Sequence, residues 1–307
     1  MGFLYFLEKI RVPILNEFML LITKFGEETA FLVTALVVFW CVNKVTGYYI
    51  LSVGFVGTIS NQFMKLWFRI PRPWVLDPGF TILEQAREAA TGYSFPSGHS
   101  QSAVGTFGTL AVSVKNRWVR ISALLIALLV PISRMYIGVH TPADVCVAAM
   151  IAVALICVFY PFFSKDRMRG FTVLLGVMVL ISVAYLLFVE LYKFPADIDQ
   201  HNLASGTESA YTFIGALIGL VFAYIVDRKV LNFKTKATWW AQILKVALGL
   251  CLVLAIKIGM KAPLNFLFGE LIGRSVRYFL IVIFAGCVWP ITFKWFAKLG
   301  KKELEDK

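Results

Sequence analysis

Charge is scarce in this chain. Of its 307 residues only 16% are Asp, Glu, Lys or Arg, while 59% are hydrophobic; soluble domains carry about 25% and roughly 45–50%. A soluble fold of this length has no means of hiding that much apolar surface, and disorder and collagen-like structure are excluded by the same numbers. Histidine is sparse too, at three residues. The five cysteines (Cys41, Cys146, Cys157, Cys251, Cys287) are odd in number, lie inside apolar stretches and form no C-x-x-C pair. They support neither a disulfide framework nor a zinc site, and read as small core hydrophobes. Carboxylates nowhere gather in the way Mg²⁺ prefers, and no cofactor is expected. Internal repeats and low-complexity linkers are missing. No cleavable signal peptide is expected either, because the charges of the first 27 residues interrupt the apolar stretch instead of preceding it.

What the chain does have is long apolar runs, with 27 Phe, eight Trp and a mean hydropathy of +0.76. About 20 apolar residues in a helix cross roughly 30 Å of hydrocarbon. Nine such runs are expected, near 28–43, 47–68, 98–114, 117–137, 142–163, 171–191, 209–226, 240–260 and 274–296. The third is rich in Gly, Ser and Thr, which suits close helix packing inside a bundle better than a lone span. Residues 1–27 are broken by Glu8, Lys9, Arg11, Asn16 and Glu17, costly at the bilayer centre, and read as an interfacial amphipathic segment. The fold expected is therefore an all-α polytopic transmembrane bundle. Its parts are residues 1–27 at the interface, a five-span core over 28–163, and about four accessory spans with a tail over 164–307.

Loop charge orients this bundle. Lys44, the groups Lys115 to Arg120, Lys165 to Arg169 and Arg228 to Lys236, and the cations from Lys294 to Lys307 fall in alternate loops and hold 16 of the 30 Lys and Arg. Those loops, and the C-terminus, are expected in the cytoplasm. The net charge of +12 then records membrane orientation, and no nucleic-acid partner is expected. Lys245, Lys257, Lys261, Arg274 and Arg277 lie near span ends, where snorkelling accounts for them.

Three polar clusters fall on the opposite, outer face. Lys65 ends the second span and Arg72-Pro73 follows seven residues later; alone, the pair also fits snorkelling cations. Pro96-Ser97-Gly98-His99 leads into a helix N-terminus, whose unpaired N–H groups and dipole make an anion cradle, although an ordinary Ser cap has the same sequence. Ser133-Arg134 ends the fourth span, and His140-Thr141-Pro142-Ala143-Asp144 opens the fifth with Thr141 as N-cap, Pro142 at N1 and Asp144 at N3. Asp144 is placed to accept from the His140 imidazole, or simply to cap. Three cations, a helix N-terminus and two His beside one carboxylate on a single face form a site for an anionic tetrahedral group, phosphate above all.

These residues resemble the signature of the type 2 phosphatidic acid phosphatase superfamily, K-x6-RP, PSGH and SR-x5-H-x3-D, and carry all of it. The resemblance implies that Lys65, Arg72 and Arg134 hold the phosphate oxygens, helped by Ser97 and the Gly98 backbone. It implies that His140 is the nucleophile, that Asp144 orients it, and that His99 protonates the leaving oxygen and later activates water. It implies no metal. The nine-span layout, and the run Arg72-Pro73-Trp74-Val75-Leu76-Asp77, are similar to the glucose-6-phosphatase branch.

The reading that results is a membrane phosphatase of a lipid phosphate or diphosphate, of the undecaprenyl diphosphate, phosphatidylglycerol phosphate or phosphatidic acid type. It would work at the outer face of a bacterial plasma membrane, or the lumenal face of an internal one. Two alternatives stay open: a phosphatase or transphosphorylase of a water-soluble ester such as a sugar phosphate, and a non-catalytic lipid transporter. In the last, the loop from Lys193 to Glu208, with Asp197, Asp199 and His201, would line a passage; otherwise it is a solvated acidic loop or a substrate rim.

Overall fold

The computed structural model of the chain describes residues 1–87, 90, 92–163 and 170–299. Of the cations used to orient the loops, Lys165, Arg167, Arg169, Lys301, Lys302 and Lys307 lie outside the described residues.

Every regular element among the described residues is helical. The N-terminal part comprises α1 Gly2–Lys9, α2 Pro13–Thr23, α3 Glu28–Val37, α4 Lys44–Phe68 and the single turn α5 Pro73–Leu76. Then come α6 Gly98–Ser113, α7 Arg117–Ile137, α8 Pro142–Phe163, α9 Phe171–Leu191 and α10 Gln200–Val226. The C-terminal part holds α11 Trp239–Gly259, α12 Lys261–Phe268, α13 Glu270–Ile283, and the turns α14 Trp289–Ile291 and α15 Phe293–Phe296. Six helical stretches are long and apolar enough to cross a membrane, and the pair Pro13–Gly26 and Glu28–Val42, bent by 58°, makes a seventh if counted as one span. The chain is an all-α integral membrane protein. At 16 residues, or about 24 Å at 1.5 Å per residue, α6 is short for a span.

The chain divides into two compact units. The first takes in Met1–Thr34, Tyr49–Arg167 and Lys193–Gly206. Its centre is α6, which buries Gln101, Ala103, Gly105, Thr106, Phe107, Thr109 and Ala111 along most of its length. Small residues make this possible: a Cβ at Gly108 would stand 2.8 Å from Ile156 of α8, and one at Gly57 of α4 would stand 2.5 Å from Gln101. Local chemistry sets the helix ends. Asn116 caps α7 by accepting from the Trp118 and Val119 amides, and Gly138 closes it in the left-handed conformation at φ 92°. Thr141 and Asp144 cap α8 reciprocally, Asp144 N donating to Thr141 Oγ1 at 3.3 Å and Thr141 N to Asp144 Oδ2 at 2.7 Å.

Three of the polar residues that interrupt the first 27, Glu8, Arg11 and Asn16, are used within this unit. Glu8 accepts from the Thr81 amide, Arg11 donates to the Tyr136 and Thr81 carbonyls, and Asn16 accepts from the Tyr136 hydroxyl. The segment Lys193–Glu208, expected as loop, is helical from Gln200 onward because Asp199 Oδ1 accepts from the Asn202 amide and so starts α10.

The second unit takes in Ala35–Tyr48, Met168–Tyr192 and Thr207–Lys307. Trp40 is fully buried there and donates from Nε1 to Ala285 O at 2.9 Å. Lys245 does not snorkel: it is 1% exposed, donates to Trp40 O at 2.9 Å and Thr235 O at 3.1 Å, and stands over the Phe293 ring. Lys44 pairs with the buried Asp227 at 2.9 Å, and Arg274 with Glu208. All five cysteines are free, but only Cys287 is a core residue; Cys146, Cys157 and Cys251 sit on outward helix faces, where a thiol is as well matched to lipid as to a protein interior.

Candidate active site

The three sequence clusters are brought to one cavity of about 350 Å³ in the first unit. Lys65 reaches it from the last turn of α4, Arg72 from the residue before α5, Gly98 and His99 from the first turn of α6, Arg134 from the last turn of α7, and His140 from the connection to α8. Each is at or beside a helix end.

A backbone hydrogen bond ties the second cluster to the third: Ser97 N donates to Asp144 O at 3.1 Å. Asn61 of α4 donates to Pro96 O at 3.2 Å. The turn entering α6 is therefore held against the first turn of α8 and against α4. Ser97 caps α6 by accepting from the Ser100 amide, and its Oγ also accepts from the Ser100 hydroxyl at 2.9 Å. With no exposed surface, Ser97 is set back behind the cavity wall, as is Asp144, 2% exposed.

The geometry around His140 fixes its tautomer. A guanidinium can only donate, and Arg72 Nη1 lies 2.9 Å from His140 Nε2, so Nε2 accepts and carries no proton. The ring proton is then on Nδ1, which faces Ser94 Oγ at 3.4 Å and Asp144 Oδ2 at 3.5 Å. Burial holds the imidazole pKa well below its usual 6.5, and the nearby charges of Arg72, Arg134 and Lys65 push it the same way. His140 is thus a neutral base near pH 7. Arg72, brought down by burial to about 10, stays cationic at that pH.

Arg72 is itself anchored, with Nε donating to Gly92 O and Nη1 to Val139 O, both at 2.9 Å. Arg134, 2% exposed, donates from Nη1 to Thr23 Oγ1 at 2.8 Å, while its buried Nε has no hydrogen-bond partner among the described residues. Gly26 lies against His99: a Cβ there would come within 2.8 Å of His99 Cβ and O. Among the described residues no three His, Cys, Asp or Glu side chains are grouped as metal ligands.

Sequence reasoning missed Ser94, Thr23, Gly26 and Asn61. Ser94 is fully buried and donates from Oγ to Asp144 Oδ2 at 2.5 Å, completing the set around the imidazole. No local pattern marks these residues. Glu28, Gln62, Gly92, His201, Asn202 and Ser205 also line the cavity, so the segment after Lys193, of which His201 was singled out from the sequence, is part of its rim. Asp197 and Asp199 are not in the wall; Asp199 starts α10 instead.

Comparison with known proteins identifies the family. The PAP2 superfamily matches residues 45–168, and the PAP2 superfamily phosphatase transmembrane extension matches 211–302. Undecaprenyl-diphosphatase BcrC of Bacillus subtilis is 29% identical over 148 residues, which cover 47% of this chain and 68% of that protein. Phosphatidylglycerophosphatase B of Bacillus subtilis is 33% identical over 150 residues, 44% of this chain and 69% of that protein. Sphingosine-1-phosphate phosphatase 2 of Mus musculus is 27% identical over 177 residues, 55% and 46% of the two chains. No solved structure matches significantly. With its three motifs gathered at one cavity and a relative of one-third identity matched over two-thirds of its length, the chain belongs to the PAP2 superfamily and is a membrane phosphatase.

Proposed function

We propose that this phosphatase hydrolyses a lipid phosphate or lipid diphosphate through a phosphohistidine formed on His140. The observation that carries the proposal is the neutral His140 whose Nδ1 is turned to Asp144 and Ser94, leaving Nε2 beside Arg72 as the nitrogen available to phosphorus. The relatives' names point to undecaprenyl diphosphate and phosphatidylglycerophosphate, and phosphatidic acid carries the same headgroup chemistry.

In the first step the Nε2 lone pair attacks phosphorus, the bond from phosphorus to the ester or bridging oxygen breaks, and protonated His99 gives its proton to that oxygen. The charged phosphoimidazole keeps its Nδ1 proton toward Asp144. In the second step neutral His99 takes a proton from water, the hydroxide attacks phosphorus, and the P–N bond breaks. Inorganic phosphate leaves, and His140 returns to its starting form. Lys65, Arg72 and Arg134, with the Gly98 amide, hold the oxygens whose charge develops in both transition states. Phosphate monoester hydrolysis calls for up to ~10²¹-fold acceleration, roughly 29 kcal/mol at 1.36 kcal/mol per tenfold. A single base supplies only about 10²–10⁴-fold, so covalent catalysis and clustered cations must share the task. Ser97 acts in this scheme by holding the α6 N-terminus in place.

The same proposal includes nine crossings: the six apolar stretches, α3 with its π-helical continuation, and α4 and α6, which lie in the bundle with polar faces. The 58° bend between Pro13–Gly26 and Glu28–Val42, and the outward Phe3, Phe6, Ile14 and Phe18 of α1 and α2, support an interfacial position for residues 1–27. The basic loops support a cytoplasmic C-terminus and an active site at the outer face. Purified protein assayed for phosphate release from lipid phosphates, lipid diphosphates and sugar phosphates tests the substrate class; activity on sugar phosphates alone would overturn the lipid reading. His140→Ala is expected to fold and to release no phosphate, and full activity in that variant would overturn the nucleophile assignment.

A further inference from the structure

The first turn of α10 lies outside both matched segments, 45–168 and 211–302, yet it is joined to Arg72 through a short series of contacts. Asp199 Oδ1 accepts from Asn202 N at 2.9 Å, which fixes the start of the helix. Asn202 Oδ1 accepts from Tyr93 N at 3.0 Å, and Asp199 N donates to the Tyr93 hydroxyl at 3.3 Å, so Tyr93 is held at both its backbone and its ring. The neighbouring Gly92 sits at φ 82°, a left-handed conformation that favours glycine, and a Cβ there would lie 2.5 Å from Asn202 Oδ1. Gly92 O in turn accepts from Arg72 Nε at 2.9 Å.

We infer that Asn202 is a positioning residue for the Arg72 guanidinium, acting through Gly92 and Tyr93, and this rests on the phosphate-holding role proposed for Arg72. A guanidinium is a rigid plane. With Nε fixed on Gly92 O, the plane is aimed at His140 Nε2 and at whatever phosphate lies between them. The accessory segment after the core therefore sets the geometry of a cation in the core, and Asn202 does so from the cavity wall.

A double-mutant cycle tests this with two readouts, kcat/KM on a hydrolysed phosphate ester and the inhibition constant of vanadate. Asn202→Ala is expected to lower kcat/KM and weaken vanadate by roughly ten- to a hundredfold, the scale of a small misplacement of a reacting group. In an Arg72→Lys background, which has no Nε donor for Gly92 O, the same replacement is expected to change either readout by less than about threefold. Equal factors in both backgrounds, or no loss from Asn202→Ala alone, would overturn the inference while leaving the phosphatase reading intact. A wild-type protein that releases no phosphate from any ester and is not bound by vanadate would end both. If Asn202→Ala does not give a monodisperse folded protein, Asp199→Ala, which removes the cap on the Asn202 amide, completes the same cycle under the same criteria.

Discussion

Arg72 Nη1 stands 2.9 Å from His140 Nε2, the cation in direct contact with the base. Because a guanidinium only donates, this contact selects the unprotonated Nε2, the form that the proposed mechanism needs for attack. In the proposed mechanism phosphorus takes the position between these two groups, so substrate binding would exchange the Arg72 to His140 contact for one from Arg72 to a phosphate oxygen. Removing the cation should hurt both functions: Arg72→Gln is expected to lower kcat about 10²–10³-fold, as loss of a preorganised transition-state donor does elsewhere. Steady-state kinetics on the purified variant checks this. Activity within a few-fold of wild type would show that the contact is incidental.

The same neighbours set the pH dependence. As the proposed nucleophile His140 must be neutral, and burial together with Arg72, Arg134 and Lys65 holds its pKa well below 6.5. The sign follows: the neutral form persists as pH falls past 6.5, so the His140 limb of kcat/KM, which reports the free enzyme, is expected below that value. Bound phosphate offsets the local positive charge and raises the pKa, so the corresponding limb of kcat should lie at higher pH. Replacing Arg72 by Gln should move the free-enzyme limb upward. Full pH profiles of both parameters are needed, and a limb that moves down in Arg72→Gln would contradict the electrostatic account.

How far this was legible in the sequence depends on the range of the contact. His140, Thr141 and Asp144 lie within one connection and one helical turn, so capping chemistry alone predicted their arrangement. Gly138 shows why five residues suffice between Arg134 and His140: its left-handed turn ends α7 and lets His140 face back into the bundle. Thr23 meets Arg134 across 111 residues, Asn202 meets Tyr93 across 109, and Ser94 meets His140 across 46. No local periodicity encodes such pairs. For Lys245 the sequence shows only its place near a span end, which suggests snorkelling; the Trp40 and Thr235 carbonyls that receive it lie too far along the chain to be visible there.

Ser94 is the sharpest of these cases. Its hydroxyl donates to Asp144 Oδ2 at 2.5 Å and lies 3.4 Å from His140 Nδ1, so it sets which carboxylate oxygen faces the ring. A hydrogen bond to a charged group contributes about 1.5–3 kcal/mol. Ser94→Ala is therefore expected to reduce kcat by about tenfold or more with little change in KM, since it alters the proposed nucleophile and not the cations proposed to bind phosphate. Ser94→Thr keeps the hydroxyl but adds a methyl at a fully buried site, so its activity should be recovered only in part. A Ser94→Ala enzyme with raised KM and unchanged kcat would instead place Ser94 in substrate binding.

Two glycines separate packing against the site from helix propensity. At Gly26 a Cβ would come within 2.8 Å of His99 Cβ, His99 O and Val130 Cγ1, whereas a Cβ at Gly176, in the second turn of α9, would meet no atom of the described residues within 4 Å beyond its own stretch of helix backbone. Overpacking of this kind costs about 1–3 kcal/mol, and relief by shifting His99 would displace the proposed proton donor. Gly26→Ala is expected to lower both the thermal unfolding midpoint in detergent and kcat. Gly176→Ala should leave kcat alone and the midpoint unchanged or slightly higher, because alanine loses less backbone freedom on folding. Equal behaviour of the two variants would mean that the N-terminal segment carries no constraint on His99. A loss of kcat in Gly26→Ala with an unchanged midpoint would assign that segment to the chemistry rather than to stability.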